Sequence, residues 1–294
     1  MLKNESVGCG VIDLANKKAS GVVSAVFARS SHLTAGNLII TVGTPDIPSH
    51  PLVVKTASFF KMKPGERFSM DADSILINRT QLINLSGVPV YIPEIRVDHI
   101  AGEKSIAKAV KRARQTACEA FSENKNMGLF LPFFTGDRTE NEFTKAALPP
   151  VEQIKSAIIK YDWKKMEREF CKLAGLGTGL TPSGDDFLVG LLSALRFYKN
   201  SGGKGTLPSE KCFDRIAEKV GRKTTSFSST LLRCAARCWC SWDVADWLTA
   251  VHNGDARLMK ASTLRVLASG HSSGVDTLAG LVTAMEGLFR FGTK

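Results

Sequence analysis

The sequence predicts an α+β protein, with a β-rich N-terminal barrel or sandwich followed by a mostly α-helical C-terminal region. Up to about residue 98, short β-branched runs alternate with turn-forming residues, and beyond His99 apolar residues recur at helical spacing. A third observation, a thirteen-residue pattern that occurs twice, places the functional interest in the helical part.

In the first part the expected strands are Val22–Ala28, Leu38–Val42, Leu52–Thr56, Ser74–Ile77 and Val88–Ile92. Thr34–Asn37, Gly43–Asp46, Lys63–Glu66 and Ser86-Gly87 supply the turns between them. Strands this short and this closely spaced favour a small closed or two-layered β structure. The domain boundaries read as 1–98 for the β-rich part and 99–294 for the helical part.

Helical periodicity opens with Glu103–Glu123, where Ile106, Ala109, Val110, Ala113 and Ala117 share one face. Lys125–Pro150 reads as a loop, since it holds Pro132, Gly136 and the pair Pro149-Pro150. The remaining helices are expected at Val151–Lys160, Trp163–Leu173, Gly184–Tyr198, Ser209–Val220, Ser229–Cys240, Trp242–Asn253, Ala256–Leu267 and Ser273–Phe291. Asn200–Gly205, with three glycines, is expected to be a mobile connection.

Composition excludes several classes. Of the 294 residues 44% are hydrophobic and 23% charged, the balance of a chain that buries a core and not of a disordered one. No apolar run reaches the roughly 18 residues of a membrane span, and the opening Met1-Leu-Lys-Asn-Glu-Ser is polar, so a cytoplasmic location is expected. The seven cysteines form no spaced framework and are expected to be reduced and mostly buried, with Cys234 and Cys238 sharing a helix face and no zinc set. The net charge of +11 favours anionic ligands. Its lysines and arginines are spread over helical faces without interleaved aromatics, so nucleic acid is not the expected partner.

The repeat is the most informative feature. Residues 183–195 read SGDDFLVGLLSAL and residues 273–285 read SGVDTLAGLVTAM, identical at seven of thirteen positions. Both copies carry apolar residues at helical spacing and a glycine at matching points, Gly190 and Gly280, where another backbone could approach closely. The two helices are therefore expected to pack together. Each opens with Ser-Gly-x-Asp, which as a capping box would make Ser183 and Ser273 the N-caps, answered by Asp186 and Asp276.

Capping does not account for what precedes these starts. Gly175-Leu-Gly-Thr-Gly-Leu-Thr-Pro182 puts three glycines in five residues ahead of the first copy, and Ser269-Gly-His-Ser272 precedes the second. Glycine-rich loops running into helix starts present backbone N–H groups and positive dipole ends to an anion. The candidate binding groups are Gly177, Thr178, Gly179, Thr181, Ser183 and Gly184, then Ser272, Ser273 and Asp276. Asp185 and Asp186 are candidate general bases, Mg²⁺ ligands or acceptors for a substrate N–H, and His271 a second acid–base group. Neither a dinucleotide fingerprint nor a P-loop is present.

A third cluster, Gly221–Thr230, carries six hydroxyls within seven residues after Arg222 and Lys223. It reads either as a loop capped by Ser228 or Ser229, or as a third wall of the same site in which Lys223 supplies charge and Thr224, Thr225 and Ser228 orient the ligand. Arg29, after a β run, is a further candidate from the first domain. His32, His50, His99 and His252 read as ordinary surface or loop histidines.

Three motifs, Gly177-x-Gly-Leu-Thr-Pro-Ser-Gly-Asp-Asp-Phe-Leu-x-Gly190, Thr224-Thr-x-x-Ser-x-x-Leu231 and Gly270-His-Ser-Ser-Gly-x-Asp-x-Leu-Ala-Gly280, resemble a bacterial family that includes AllH, one subunit of the oxamate carbamoyltransferase of allantoin degradation. Phe27-x-Arg29 is similar to the family's first region more loosely, and Val275 departs from the aromatic residue more usual there. The resemblance implies a part in carbamoyl transfer between an oxamate- or oxalurate-like compound and phosphate, within purine catabolism, beside FdrA-like and AllG-like subunits. On that reading the amides of Gly177–Gly179 and Ser183–Gly184 meet a developing oxyanion, Asp185 or Asp186 handles the amide proton with His271, and Lys223 neutralises phosphate. Two alternatives are a non-catalytic regulatory subunit that binds a small carboxylate and a metal-assisted hydrolase using Asp185 and Asp186.

Overall fold

Alternation of period two and helical spacing divide the chain between two compact units, Met1–Glu94 with Cys240–Trp242, and Ile95–Trp239 with Asp243–Lys294. The structure is a computed structural model that describes residues 4–57, 62–93, 95, 100–121, 129–135 and 142–290.

The first unit holds β1 (Asn4–Gly8), α1 (Cys9–Asn16), β2 (Ser20–Val26), β3 (Ser30–Ala35), β4 (Leu38–Gly43), β5 (Val53–Thr56), β6 (Arg67–Asp71), β7 (Ser74–Ile77), β8 (Gln81–Asn84) and β9 (Val90–Tyr91). They form one nine-stranded sheet in the order β8-β7-β6-β2-β3-β4-β5-β1-β9, curled into a half-barrel. Most neighbours are antiparallel; β4 with β5 and β1 with β9 run parallel. Alternate residues such as Phe68 and Met70 of β6 and Ile75 and Ile77 of β7 point inward, where Val11 and Ala15 of α1 join the same core. The α+β class is as expected from the sequence, but β1, α1, β3, β6 and β8 were not, because polar residues interrupt their patterns.

Two histidines read as surface or loop residues are core residues instead. His32 lies on the central strand β3 at 5% exposure, and burial lowers its pKa to about 4. His252, fully buried, packs edge-on against Phe197 with ring centroids 4.3 Å apart, and burial brings it to about 4 as well. His99 lies outside the described residues.

The second unit is helical, with α2 (Glu103–Phe121), α3 (Leu131–Thr135), α4 (Glu142–Ile159), α5 (Trp163–Leu173), α6 (Ser183–Asn200), α7 (Glu210–Gly221), α8 (Ser226–Ala236), α9 (Trp242–His252), α10 (Ala256–Leu267) and α11 (Ser273–Leu288). The loop expected over 125–150 is corrected: α3 falls within it and α4 runs through Pro149 and Pro150. Each proline removes a helical hydrogen bond, at about 3 kcal/mol. Burial of Ala147, Val151, Ile154, Ala157 and Ile158 along one face of α4 offsets that cost. Gly136 lies outside the described residues.

The helix expected to reach Cys240 ends at Ala236, and Cys238 sits beyond it with φ +62, so Cys234 and Cys238 do not share a helix face. All seven cysteines are free thiols, but only Cys234 and Cys240 are buried; the other five are half-buried. Among the described residues no helix is long and apolar enough to cross a membrane.

Candidate functional site

The duplicated sequence becomes a duplicated structure. α5, a loop and α6 are matched by α10, a loop and α11, and α6 packs against α11 more extensively than any other described pair of helices does. Contacts between the copies recur with their roles exchanged. Gly190 abuts the Thr277 carbonyl and Gly280 the Phe187 carbonyl, and these pairs are related by the same shift of 90 residues (277 − 187 and 280 − 190) that aligns the repeat. Asp186 is influenced by the Ser273 hydroxyl and Asp276 by that of Ser183, again with copies exchanged. A local two-fold relation therefore runs between the two helix starts.

Those starts meet. The hydroxyls of Thr181 and Ser273 hydrogen-bond at 3.2 Å, joining the two polar loops. The caps differ from the capping boxes expected: Pro182 and Ser272 occupy the N-cap positions, one residue earlier, and neither makes a side-chain cap. The first-turn amides are taken by backbone carbonyls instead, Gly184 N–H donating to Leu176 at 2.8 Å and Gly274 N–H to Ser269 at 2.9 Å. The Gly184 amide is thus not free for an oxyanion, a correction to the donor set read from the sequence.

The loop before α6 keeps other donors available. Gly177 and Gly179 have φ of +116 and +95, a left-handed conformation that only glycine adopts without strain. Among the described residues the amides of Gly177, Thr178 and Gly179 enter no backbone hydrogen bond. Thr178 and Gly179 are exposed, as are Lys223 and His271 on the neighbouring loops.

The third polar cluster joins the first. Thr225, not Ser228 or Ser229, caps α8 by accepting from the Ser228 amide at 3.1 Å, and its own hydroxyl donates to the Leu180 carbonyl at 2.8 Å. Asp185 fastens the same two segments: its Oδ1 accepts from the Gly175 amide at 2.8 Å and its Oδ2 from the Thr224 hydroxyl. Burial raises its pKa, against hydrogen bonds from Thr224, Gly175 and Ser228 that lower it. The Ser228 hydroxyl is buried and makes no bond of regular geometry. With one protein donor on each oxygen of Asp185, the carboxylate ties the loop before α6 to the loop before α8. Among the described residues no group of three or more His, Cys, Asp or Glu side chains could hold a metal ion.

Asp186 and Asp276 are different. They are 5% and 0% exposed, and burial, the main cause in each, pushes Asp186 up to about 8 and Asp276 to about 7. The carboxylate of Asp276 adds to the rise at Asp186, while the hydroxyls of Ser273 and Thr181 oppose it. Asp276 Oδ1 accepts from the Phe130 amide at 3.0 Å. Phe130 also stacks on Phe187, the residue after Asp186, with ring centroids 4.7 Å apart. Sequence reasoning missed Phe130, and the apolar run Leu129–Leu131 inside a proline-containing stretch was the one available signal. Arg29, by contrast, belongs to the β unit, where its guanidinium pairs with Asp46.

The helical unit thus pairs two helix–loop–helix copies, with their polar loops joined beside a pair of buried acids. Residues 173–285 match a family model described as oxamate carbamoyltransferase subunit AllH. The matched segment is similar to the AllH-containing family that the three motifs resemble. No solved structure matches the chain.

Proposed function

We propose that the paired starts of α6 and α11 hold a small anionic substrate, an oxamate- or oxalurate-like carboxylate or phosphate, and that the chain is a component of a cytoplasmic carbamoyl-transfer system. The observation that carries this reading is the Thr181–Ser273 hydrogen bond, which unites two loops that both lie inside the segment matched to the AllH family. In this reading the amides of Gly177, Thr178 and Gly179, the hydroxyls of Thr181, Ser183, Ser272 and Ser273, and the Lys223 ammonium receive the anion. Fixed donors of this sort stabilise the oxyanion that develops when a carbamoyl carbon becomes tetrahedral.

Two acids beside an anion would repel it if both were ionised. With Asp186 raised to about 8 and Asp276 to about 7, the pair carries less than its full charge at neutral pH, which removes much of that conflict. Asp186 takes the acid–base role, with His271 as a second proton carrier. FdrA-like and AllG-like subunits are the protein partners on this reading, and the helical domain of residues 99–294 is the part that binds substrate.

Calorimetry of the full chain with phosphate and with oxamate tests the site. Ser273→Ala and Lys223→Ala should each weaken binding by about tenfold, the loss of one good polar contact. Turnover in the complex reconstituted with both partners should disappear in Asp186→Asn. Binding that survives while wild-type turnover is absent in every reconstitution would replace the transferase role with that of a carboxylate sensor.

A further inference from the structure

The duplication fixes a residue-by-residue match between α5 and α10. Asp162 caps α5 and Asp255 caps α10, 93 positions apart (255 − 162). Each carboxylate accepts a first-turn amide at that same offset, Lys165 at 2.9 Å and Leu258 at 3.1 Å. Met166 and Met259, both fully buried, match at the same offset, as do the Leu173 and Val266 carbonyls that lie against Gly184 and Gly274. The two helices are equivalent, so a difference in what surrounds them carries information.

α5 is covered by α7, which sets two cations on Glu167, Arg215 at 3.0 Å and Lys219 at 2.6 Å. Under that cover Glu167 is 7% exposed. At the matched positions α10 has Lys260 for Glu167 and Leu264 for Cys171, and both are exposed, Leu264 at 42%. The neighbours of α10 lie elsewhere: α2 and α11 pack on it, and α9 reaches it through the Trp247–Thr263 hydrogen bond and the Arg265–Asp246 pair. Ala261, Leu264 and Ala268 follow helical spacing and form one exposed apolar stripe, with Leu258 exposed at its margin. The second copy thus leaves open a face that the first copy covers with a helix.

Charge decides what fits there. α10 contains Arg257, Lys260 and Arg265 and no acidic residue. No ion pair among the described residues engages Arg257 or Lys260. In the first copy α5 supplies the carboxylate and α7 the cations; in the second α10 supplies the cations, so its complement must bring carboxylates. A second copy of this chain meeting the face with its own α10 would set Lys260 and Arg257 against themselves. We propose that the outward face of α10 docks an amphipathic helix of a different protein, its apolar stripe seated on Ala261 and Leu264 and its carboxylates set against Lys260 and Arg257. α10 runs directly into the loop that carries His271, so the docked helix sits on the element that places the second polar start. The proposal does not depend on what the paired helix starts bind.

The probe is a stapled helical peptide of residues 209–222 in which Arg215→Glu and Lys219→Glu reverse the charges that α7 offers; the unaltered α7 peptide is its control. In fluorescence anisotropy with the full chain, the acidic peptide should bind at least about tenfold tighter than the control. Leu264→Asp should weaken that binding by about tenfold, and Lys260→Glu should turn the preference toward the control peptide. Lys164→Glu removes the same charge from an exposed site on α5 and should leave the binding unchanged. Circular dichroism checks that all three variants fold. No saturable binding of the acidic peptide up to about 1 mM would overturn the docking face. Equal losses in Lys164→Glu and Lys260→Glu would do the same, since they would mark a general attraction to a basic chain. A dimer in sedimentation that Leu264→Asp dissociates would give the face to a second copy and sink the proposal as well.

Discussion

Gly190 of α6 and Gly280 of α11 each accommodate the other helix's backbone. A Cβ on Gly280 would lie 1.9 Å from the Phe187 carbonyl oxygen, and one on Gly190 would lie 2.1 Å from that of Thr277. Contacts this short involve backbone, which cannot rotate aside as a flexible side chain does. The close crossing brings the first turns of both helices, with Asp186 and Asp276, into one cluster.

Gly190→Ala and Gly280→Ala should therefore each destabilise the chain by about 1–3 kcal/mol, the usual range for overpacking a tight interior. In an exposed helix the same change would stabilise by up to about 1 kcal/mol, so the sign alone is informative. Urea unfolding followed by circular dichroism measures it. A midpoint that rises in either variant would mean that the helices do not cross at these glycines.

The buried acids make a prediction about pH. Unfolded, Asp186 titrates near 4; folded, it is raised to about 8. Between those values the unfolded chain has released a proton that the folded chain retains, so rising pH favours unfolding across the interval, and the loss is complete above about 8. Asp276, at about 7, adds a loss of the same sign over a narrower window. Asp186→Asn cannot titrate. Its melting temperature relative to wild type should rise steadily from pH 5 to pH 8 and then level off. The comparison isolates the acid from His32 and His252, whose lowered values give stability that is lost as pH falls toward 4.

How much of this could be read from residues depended on whether their pattern was local. α5, α6, α10 and α11 were legible because apolar spacing marks a helix without reference to its neighbours. The meeting of α6 with α11 was legible because matching glycines in a repeat leave room for a backbone. β3 was not, since polar Ser31, at 0% exposure, shares the core face with Leu33 and Ala35, and His32 on the opposite face is buried as well, at 5%. α4 was hidden by Pro149-Pro150, whose propensity was overridden by tertiary burial. Within the candidate site, Asp185 and Asp186 are adjacent in sequence yet sit in different surroundings: one is tied by Gly175 and Thr224, the other keeps an oxygen unpaired. That division depends on residues 10 to 90 positions away and leaves no trace in the local pattern.

Glu286 near the end of α11 binds Arg114 of α2 at 2.6 Å and Lys155 of α4 at 2.8 Å, so one carboxylate ties three helices together. Its side chain is 10% exposed, while Arg114 and Lys155 are 29% and 20% exposed. Removing one partner of a fully buried pair costs about 3–5 kcal/mol; because both cations reach solvent, Glu286→Gln should cost about 2 kcal/mol. Arg222→Ala, which breaks the surface pair with Glu218, should leave the unfolding midpoint unchanged. Equal effects of the two substitutions would remove the Glu286 tie from the account of stability.

Asp185 is separable by experiment from the buried acid that follows it. Its two oxygens hold the Gly175 amide and the Thr224 hydroxyl, and the Thr225 hydroxyl reaches the Leu180 carbonyl beside them, so one side chain sets the spacing between the loop before α6 and the loop before α8. Asp185→Ala should free both loops while the paired starts of α6 and α11 stay joined through Thr181 and Ser273. Hydrogen exchange should show it: the Gly175 amide loses its protection in Asp185→Ala and keeps it in Asp186→Asn. A loss of one hydrogen bond of about 1.5–3 kcal/mol, that of a bond to a charged group, corresponds to exchange faster by roughly ten- to 150-fold wherever opening is local. Protection at Gly175 that is equal in the two variants would show that the carboxylate of Asp185 is not what holds the loop.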